Sequence, residues 1–301
     1  MKRRNFVALG AIGLGSCTAS KSSTQSNVSD SGNQSGLKLS LAAYSMRSML
    51  PNYRSNKNAQ SNFQMEDFIA QAAKWPVDAV ELTSYFLPQS CPIERAYNLK
   101  RIAHVHGLDI SGGAIGNNFT YKPGSKQARE QMEYTRKWIE TYAQMGAPVI
   151  RVFAGDPEKE ADKKQAVKNI IENLKAACYF AEGSGVILAM ENHDFTTNID
   201  RYLEIIDAVD SPWFGANLDS GNLAKTSDPY ADLARIAPHA VNVQFKVVIP
   251  VDGVKQPADF GKLIQLLKDA QYRGYVVLEY EEAADPMQEI PKYLDRLNQL
   301  I

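Results

Sequence analysis

Two stretches near the middle of the chain, GVILAMENH at 185–193 and FGANLDSGN at 214–222, decide the fold. Each begins with an apolar run of the length of a strand and ends in polar residues. Between them, Ile199, Tyr202 and Ile206 recur at spacings of three and four, which predicts an amphipathic helix. Two apolar strands joined by a helix form a parallel unit in which both faces of each strand are buried.

The same alternation of apolar runs and helical stretches extends from residue 37 to the end of the chain. Eight runs are predicted as strands: Leu37–Ala43, Val77–Leu82, Leu108–Ile115, Pro148–Phe153, Gly185–Glu191, Phe214–Asp219, Ala240–Lys246 and Tyr275–Tyr280. Gly107, Gly146 and Gly183 follow three of the intervening helices, where a left-handed residue commonly ends a helix. Eight such units close a parallel sheet, so residues 37–301 are predicted to form a single (β/α)8 TIM barrel of the α/β class.

The composition is that of a globular protein and excludes one class of partner. Of the 301 residues, 44% are hydrophobic and 22% are charged, and the net charge is −1. Without residues 1–17, which contain Lys2, Arg3 and Arg4, the chain has 30 basic and 34 acidic residues. Because nucleic-acid binding requires a clustered basic surface, this balance excludes nucleic acid as a partner.

The first seventeen residues have the layout of an export signal. A basic head precedes the apolar run Phe6–Leu14, which is too short to span a bilayer. Arg3-Arg4 resembles a twin-arginine signal, and Leu14-Gly15-Ser16-Cys17 resembles a lipobox. We expect a periplasmic protein anchored to the membrane by a lipid on Cys17, with the polar residues 18–36 as a disordered linker. The alternative is an N-terminal tail without a role in export.

Polar residues follow most predicted strands, at the end where TIM barrels hold their reacting groups. In the second half of the chain, four strands carry Glu191, Asp219, Gln244 and Glu279 at this position. Carboxylates that converge in a poorly solvated barrel mouth repel each other, so either their pKa values rise or a cation lies between them. For one such residue, a hydrogen bond within the barrel or exposure to solvent is the simpler explanation. Four on consecutive strands favour a metal site.

The chemistry of these four residues indicates which metal to expect. Carboxylate and amide oxygens favour hard divalent cations, which leaves Mn2+ or Mg2+ as the predicted cofactor, with open positions for water or substrate. The predicted ligands are Glu191, Asp219, Gln244 and Glu279. Zn2+ or Co2+ is the alternative, although an amide oxygen binds these ions more weakly than an imidazole does.

Five motifs carry a resemblance to a known family. They are Val80-Glu81-Leu82, Arg151-Val152-Phe153-Ala154-Gly155, Met190-Glu191-Asn192-His193, Asn217-Leu218-Asp219-Ser220-Gly221-Asn222 and Leu278-Glu279-Tyr280. Over residues 37–301 the chain resembles the xylose isomerase-like TIM-barrel family of sugar and sugar-phosphate isomerases and epimerases. In that family a Glu, an Asp, a His and a Glu on strands five to eight hold one divalent ion. Glu191, Asp219 and Glu279 match this pattern, whereas Gln244 stands where the family most often has His.

The resemblance implies a metal-dependent sugar isomerase or epimerase. The ion would chelate the carbonyl oxygen and the neighbouring hydroxyl of a ketose and stabilise an enediolate, with Glu191 and Glu279 as base and acid. The candidate substrate-binding residues are Tyr44, Glu81, Arg151, His193 and Lys246. Each also has a structural explanation, since a cation at the mouth pairs with carboxylates, Glu81 supports the site from within the barrel, and aromatic or histidine rings pack at strand ends.

Two other functions fit the same sequence. A lyase would use the enediolate of a 3-keto-glycoside to expel the glycosidic leaving group by β-elimination. Export favours such a substrate, because sugar phosphates are largely cytosolic. A non-catalytic carbohydrate-binding lipoprotein fits the glutamine at position 244. We expect a small-molecule sugar or keto-sugar as the partner and membrane contact only through the N-terminal lipid. The sequence does not indicate an oligomeric state.

Overall fold

A closed barrel of eight parallel strands forms the centre of the computed structural model, which describes residues 36–158 and 161–301. The barrel strands are β1 (Lys38–Ala42), β2 (Ala79–Thr83), β3 (Asp109–Ala114), β4 (Val149–Val152), β5 (Ile187–Glu191), β6 (Phe214–Asp219), β7 (Ala240–Phe245) and β10 (Tyr275–Leu278). Between β7 and β10, the strands β8 (Val248–Val251) and β9 (Val254–Pro257) form a separate antiparallel hairpin. Around the barrel the order is β1, β10, β7, β6, β5, β4, β3 and β2. The predicted TIM barrel is confirmed. The hairpin β8–β9 was not predicted.

Eight helices cover the outside of the barrel. They are α1 (Met65–Ala72), α2 (Ile93–Val105), α3 (Lys126–Met145), α4 (Lys163–Ser184), α5 (Ile199–Val209), α6 (Pro229–Ile236), α7 (Phe260–Asp269) and α8 (Pro286–Asn298). In six of them the residue before the helix accepts a hydrogen bond from a backbone N–H of the first turn: Ser125, Asp162, Asn198, Asp228, Asp259 and Asp285. These caps fix the point where each loop at the mouth joins its helix.

Two of the three predicted helix-ending glycines have the expected conformation. Gly107 and Gly146 have φ angles of 74° and 82°. The prediction for Gly183 is wrong, because this residue lies inside α4, and Gly185, with φ 68°, ends the helix instead. Both glycines can adopt a left-handed conformation, and the chain turns at Gly185, two residues before β5 begins.

The predicted export signal, the lipid-carrying Cys17 and the linker up to residue 35 lie outside the described residues. Among the residues that the structure describes, no helix has both the length and the apolar character needed to cross a membrane.

Helix α3 packs against β3 at a position where only glycine fits. Tyr142 is fully buried, and its hydroxyl donates a hydrogen bond to the carbonyl oxygen of Leu82 at 2.5 Å. A Cβ atom on Gly113 would lie 2.2 Å from Cε1 of Tyr142. The close approach of the helix to the barrel wall therefore depends on the missing side chain.

We expect Gly113→Ala to lower the free energy of unfolding by about 1–3 kcal/mol, since the new methyl group overpacks a buried ring. Urea denaturation monitored by circular dichroism measures this loss. Gly183→Ala is the matched control, because a Cβ atom at this helical position meets nothing within 4 Å. It should stabilise the protein by about 0.5–1 kcal/mol. Equal unfolding midpoints for Gly113→Ala and the wild type would contradict the described packing.

Candidate active site

The carboxyl ends of the barrel strands surround a cavity of about 590 Å3, a size usual for small-molecule sites. All eight barrel strands contribute to its lining, through their last residues or through the loops that follow. Six of the predicted site residues line this cavity: Tyr44, Arg151, Glu191, His193, Lys246 and Glu279. The other three, Glu81, Asp219 and Gln244, are buried in the barrel next to it.

Lys246 lies where three carboxylates meet. It follows β7 directly, and its side chain is 8% exposed. Its Nζ atom is 2.6 Å from Oε2 of Glu279, 3.2 Å from Oδ2 of Asp219 and 3.0 Å from Oε1 of Glu281. Burial lowers the pKa of Lys246, but the three carboxylates outweigh this effect and hold the pKa well above its usual value. The carboxylates at the ends of β6 and β10 thus share one ammonium group.

The loop after β6 makes room for the Lys246 side chain. The backbone N–H of Lys246 donates to Oγ of Ser220 at 2.8 Å, and the N–H of Ser220 donates to the carbonyl oxygen of Gln244 at 3.0 Å. A Cβ atom on Gly221 would lie 2.6 Å from Cγ of Lys246. Because residue 221 has no side chain, the lysine stem can pass this loop and reach the carboxylates.

A second buried cation holds Glu191. The Nε atom of Arg151 lies 2.9 Å from Oε2 of Glu191, although the N–H is not aligned for a hydrogen bond. Arg151 is itself fixed, since Nη1 donates to the carbonyl oxygen of Ile115 at 2.8 Å and the guanidinium lies 3.9 Å from the centre of the Phe153 ring. Nδ2 of Asn222 donates to Oε1 of Glu191 at 2.8 Å. Both carboxylate oxygens therefore have defined positions.

The Asp219 carboxylate organises the turn after β6. Its Oδ1 atom accepts hydrogen bonds from the backbone N–H groups of Gly221 at 2.8 Å and Asn222 at 3.0 Å. The side chain of Asn192 joins this turn to β5, because its Oδ1 accepts from the N–H of Asp219 at 2.8 Å and its Nδ2 donates to the carbonyl oxygen of Asp219 at 2.9 Å. Burial raises the pKa of Asp219, and Lys246 opposes this effect.

Gln244 belongs to a ring of four buried side chains inside the barrel. Its Nε2 donates to Oε1 of Glu81 at 2.6 Å, and its Oε1 accepts from Nδ2 of Asn217 at 2.7 Å. Nδ2 of Asn242 donates to Oε2 of Glu81 at 2.9 Å and to Oδ1 of Asn217 at 2.7 Å, which closes the ring. Burial, together with the charge of Glu279, raises the pKa of Glu81 to about 7. Both amide atoms of Gln244 are thus used within the barrel.

His193 and Tyr44 lie on opposite parts of the cavity wall, after β5 and β1. Nδ1 of His193 is 2.8 Å from Oδ2 of Asp194, and its ring packs against Phe153 with 4.6 Å between the ring centres. Tyr44 is half-buried, and its pKa is raised by burial and by the charges of Glu281 and Glu279. Both side chains present polar atoms and ring surface to the cavity.

The described residues do not fit the predicted metal site in the arrangement that they adopt. Gln244 directs its amide toward Glu81 and Asn217, and the point shared by Asp219 and Glu279 is taken by the Lys246 ammonium. A divalent ion at that point would lie against a like charge. Over residues 36–158 and 161–301, no group of three or more His, Cys, Asp and Glu side chains is placed to hold a metal ion. The ligand set stays a prediction, and no chemical step is assigned to a metal.

Three residues around the predicted carboxylates received no role in the sequence analysis: Asn192, Asn222 and Glu281. Asn222 bonds to the carboxylates of Glu191 and Asp219. Asn192 bonds to the backbone of Asp219, and Glu281 contacts Lys246. Glu281 had a readable signal, because it follows Glu279 by two residues. Asn192 and Asn222 belong to two of the motifs that carry the family resemblance, but their contacts depend on the shape of two turns that the local pattern does not specify.

A closed parallel barrel with buried carboxylates and cations at its carboxyl-terminal mouth defines a TIM-barrel enzyme scaffold. The family model of the xylose isomerase-like TIM barrel matches residues 69–299, which is more than half of the chain. The chain therefore belongs to the xylose isomerase-like TIM-barrel family, which includes sugar epimerases and isomerases. The predicted resemblance is confirmed. Members of this family are typically dependent on a divalent metal.

Individual relatives are distant in sequence. The putative L-ribulose-5-phosphate 3-epimerase of Haemophilus influenzae is 24% identical over 203 residues, which cover 61% of this chain and 71% of the relative. The D-psicose 3-epimerase of Clostridium cellulolyticum superposes with a TM-score of 0.68 at 15% identity, covering 87% of this chain and 99% of that enzyme. The 3-keto-D-glucoside 4-epimerase of E. coli superposes with a TM-score of 0.66 at 15% identity, covering 88% and 99%. These similarities in structure establish the fold.

Replacing Gln244 by Glu distinguishes a structural role from metal ligation. The variant places a second carboxylate against Glu81, so we expect a loss of about 1–3 kcal/mol in the free energy of unfolding at neutral pH. In the variant, the carboxyl groups at positions 81 and 244 have pKa values in the folded protein that lie above the value of about 4.3 in the unfolded chain. The loss is therefore absent at low pH, where both are protonated, and grows as the pH rises. Urea denaturation across this pH range measures it.

The exposed Gln265→Glu provides the matched control, with no comparable loss expected. Its Nε2 donates to Oδ1 of Asp269 on the surface of α7, where water screens a new charge. Tighter Mn2+ binding by Gln244→Glu, without loss of stability, would instead establish Gln244 as a metal ligand.

Proposed function

We propose that the protein epimerises or isomerises a sugar that carries a carbonyl group, through an enediolate, with Glu191 and Glu279 as the proton-transferring residues. The observation that carries the proposal is that both carboxylates line one cavity and that a buried cation fixes each of them. An enediolate forms when a base removes the proton from a hydroxyl-bearing carbon beside a carbonyl group, and a well-positioned carboxylate accelerates this step. Membership of a family of sugar epimerases and isomerases supports the same chemistry.

The positions of the two glutamates around the barrel support proton transfer from two sides. Glu191 ends β5 and Glu279 follows β10, and these strands are three steps apart in the closed order of eight. Side chains from strands so separated approach the cavity from different directions. One glutamate removes a proton from one face of the carbon, and the other delivers a proton to the opposite face, which inverts the configuration. Proton transfer between two carbons on one face gives the aldose–ketose interconversion instead.

The charges of the cavity favour an unphosphorylated substrate. Its acidic lining residues are Asp156, Glu191, Asp194, Glu279 and Glu281, and its basic lining residues are Arg54, Arg151 and Lys246. Arg151 and Lys246 already pair with carboxylates. A phosphate group would bring up to two further negative charges next to these acidic residues and would compete with their carboxylates for Arg151 and Lys246. A neutral sugar meets hydrogen-bond donors and acceptors without this cost.

The predicted export agrees with a neutral substrate, because sugar phosphates are largely cytosolic. Periplasmic location and lipid anchoring through Cys17 are proposals that concern residues outside the described part of the chain. Dependence on Mn2+ or Mg2+ is likewise a separate prediction, which the proton transfer by Glu191 and Glu279 does not require.

Glu191→Gln and Glu279→Gln should each lower the rate of epimerisation by about 10²–10⁴-fold, since an amide neither removes nor delivers the proton. The measurement is the rate at which the epimer forms in D2O, followed by NMR with a panel of free ketoses. Glu140→Gln on the exposed face of α3 is the matched control and should leave the rate unchanged.

Two outcomes would contradict the proposal. Release of the aglycone from a 3-keto-glycoside, with no epimer formed from any ketose, would identify a lyase on the same scaffold. Sugar binding by the wild type and by both glutamate variants, with no deuterium exchange in any of them, would identify a non-catalytic carbohydrate-binding protein.

A further inference from the structure

We propose that the Lys246 ammonium takes the place of the divalent ion, so that it holds the carbonyl oxygen of the sugar and stabilises the enediolate without a metal. This inference rests on the proposed function, because it assigns the electrophile for the same proton-transfer reaction. An electrophile is required there, since the carbonyl oxygen gains a negative charge when the neighbouring C–H is deprotonated.

The position of Lys246 supports this role. Its Nζ lies 3.2 Å from Asp219 and 2.6 Å from Glu279, two of the residues that match the metal-binding pattern of the family. A divalent ion in that pattern neutralises converging carboxylates and polarises a substrate oxygen. An ammonium group neutralises one carboxylate charge and offers three N–H donors, so it can perform the same two tasks. Lys246 also lines the cavity that would hold the sugar.

The surrounding residues are arranged for a lysine rather than for a fourth metal ligand. Gly221 leaves the space through which the lysine stem passes, and Ser220 Oγ accepts a hydrogen bond from its backbone N–H. Gln244, at the position of the usual histidine, donates to Glu81 and accepts from Asn217. Turning the Gln244 amide toward a metal would leave Glu81 Oε1 and Asn217 Nδ2 without their hydrogen-bond partner inside the barrel, which is unfavourable for buried polar groups.

Glu281, the third carboxylate that contacts the Lys246 ammonium, indicates where the sugar oxygen binds. Asp219 and Glu279 are almost completely buried, whereas the Glu281 side chain is 38% exposed. Water can therefore solvate the Glu281 carboxylate when it is displaced. We assign to the substrate's carbonyl oxygen the N–H that now faces Glu281, while the other two N–H groups stay with Asp219 and Glu279.

The proton-transfer step balances with the groups present. One glutamate, as a carboxylate, takes the proton from the carbon beside the carbonyl. The C–H electron pair becomes the second bond between the two carbons, and the π pair of the carbonyl moves to its oxygen, next to the ammonium. The other glutamate, protonated at the start, gives its proton to the same carbon from the opposite face, and the carbonyl is restored. The two glutamates then exchange their protons with solvent to begin another turnover.

The inference is tested by titrating Mn2+ into chelator-treated full-length protein, with calorimetry as the readout. We expect the wild type to bind no stoichiometric Mn2+, because the ammonium occupies the shared point. Lys246→Met frees the carboxylates of Asp219, Glu279 and Glu281, and its affinity for Mn2+ should be at least about tenfold higher than that of the wild type. Lys255→Met, which removes an exposed lysine paired with Glu282, should behave as the wild type does.

Deuterium exchange into the substrate, measured in the presence of chelator, completes the test. Exchange by the wild type should persist, and Lys246→Met should lower it by about 10²–10³-fold, the usual effect of removing one donor to a developing oxyanion. Tight binding of one Mn2+ per wild-type chain, or exchange that occurs only with Mn2+, would overturn the inference while leaving the proposed function intact. If no ketose is turned over under any condition, the proposed function fails, and the Mn2+ titration still decides which cation fills the site. The wild-type titration decides this even if Lys246→Met does not fold.

Discussion

The arrangement of the side chains at the carboxyl-terminal end of the barrel depends on one group, the Lys246 ammonium. It lies between the carboxylates of Asp219, Glu279 and Glu281. Carboxylates buried this close together repel each other strongly unless a cation lies between them. The lysine supplies that cation from within the chain, and Arg151 does the same for Glu191. These two cations allow four acidic side chains to stay together at the ends of β5, β6 and β10, and three of them, Glu191, Glu279 and Glu281, line the cavity.

A polar layer inside the barrel supports these charges. Glu81, Asn217, Asn242 and Gln244 bond to one another in a ring, so each side chain has a fixed orientation. The ring spans strands on opposite sides of the barrel, since Glu81 belongs to β2 and Asn217 to β6. Because the folded protein loses stability when a buried polar group loses its hydrogen-bond partner, this layer resists rearrangement of the residues above it.

The sequence was sufficient for the barrel and for the end of the barrel that carries the site, because alternating helix and strand periodicities are local and the carboxyl ends of parallel strands share one edge. It was not sufficient for the choice between Gln244 and Lys246. Residues 242, 244 and 246 are spaced two apart, so the strand periodicity predicts that all three side chains point to the same face. Strand tilt and register decide which of them reaches Asp219 and Glu279. A long side chain passing over Gly221 is likewise a tertiary feature with no local signature.

The most direct test of this account is anomalous diffraction at the manganese edge from crystals of the full chain grown with Mn2+ and a bound ketose. We predict no manganese peak among Asp219, Glu279 and Glu281, and a carbonyl oxygen of the sugar within hydrogen-bond distance of Lys246 Nζ. A manganese peak coordinated by Glu191, Asp219 and Glu279, with the lysine displaced, would contradict the central claim.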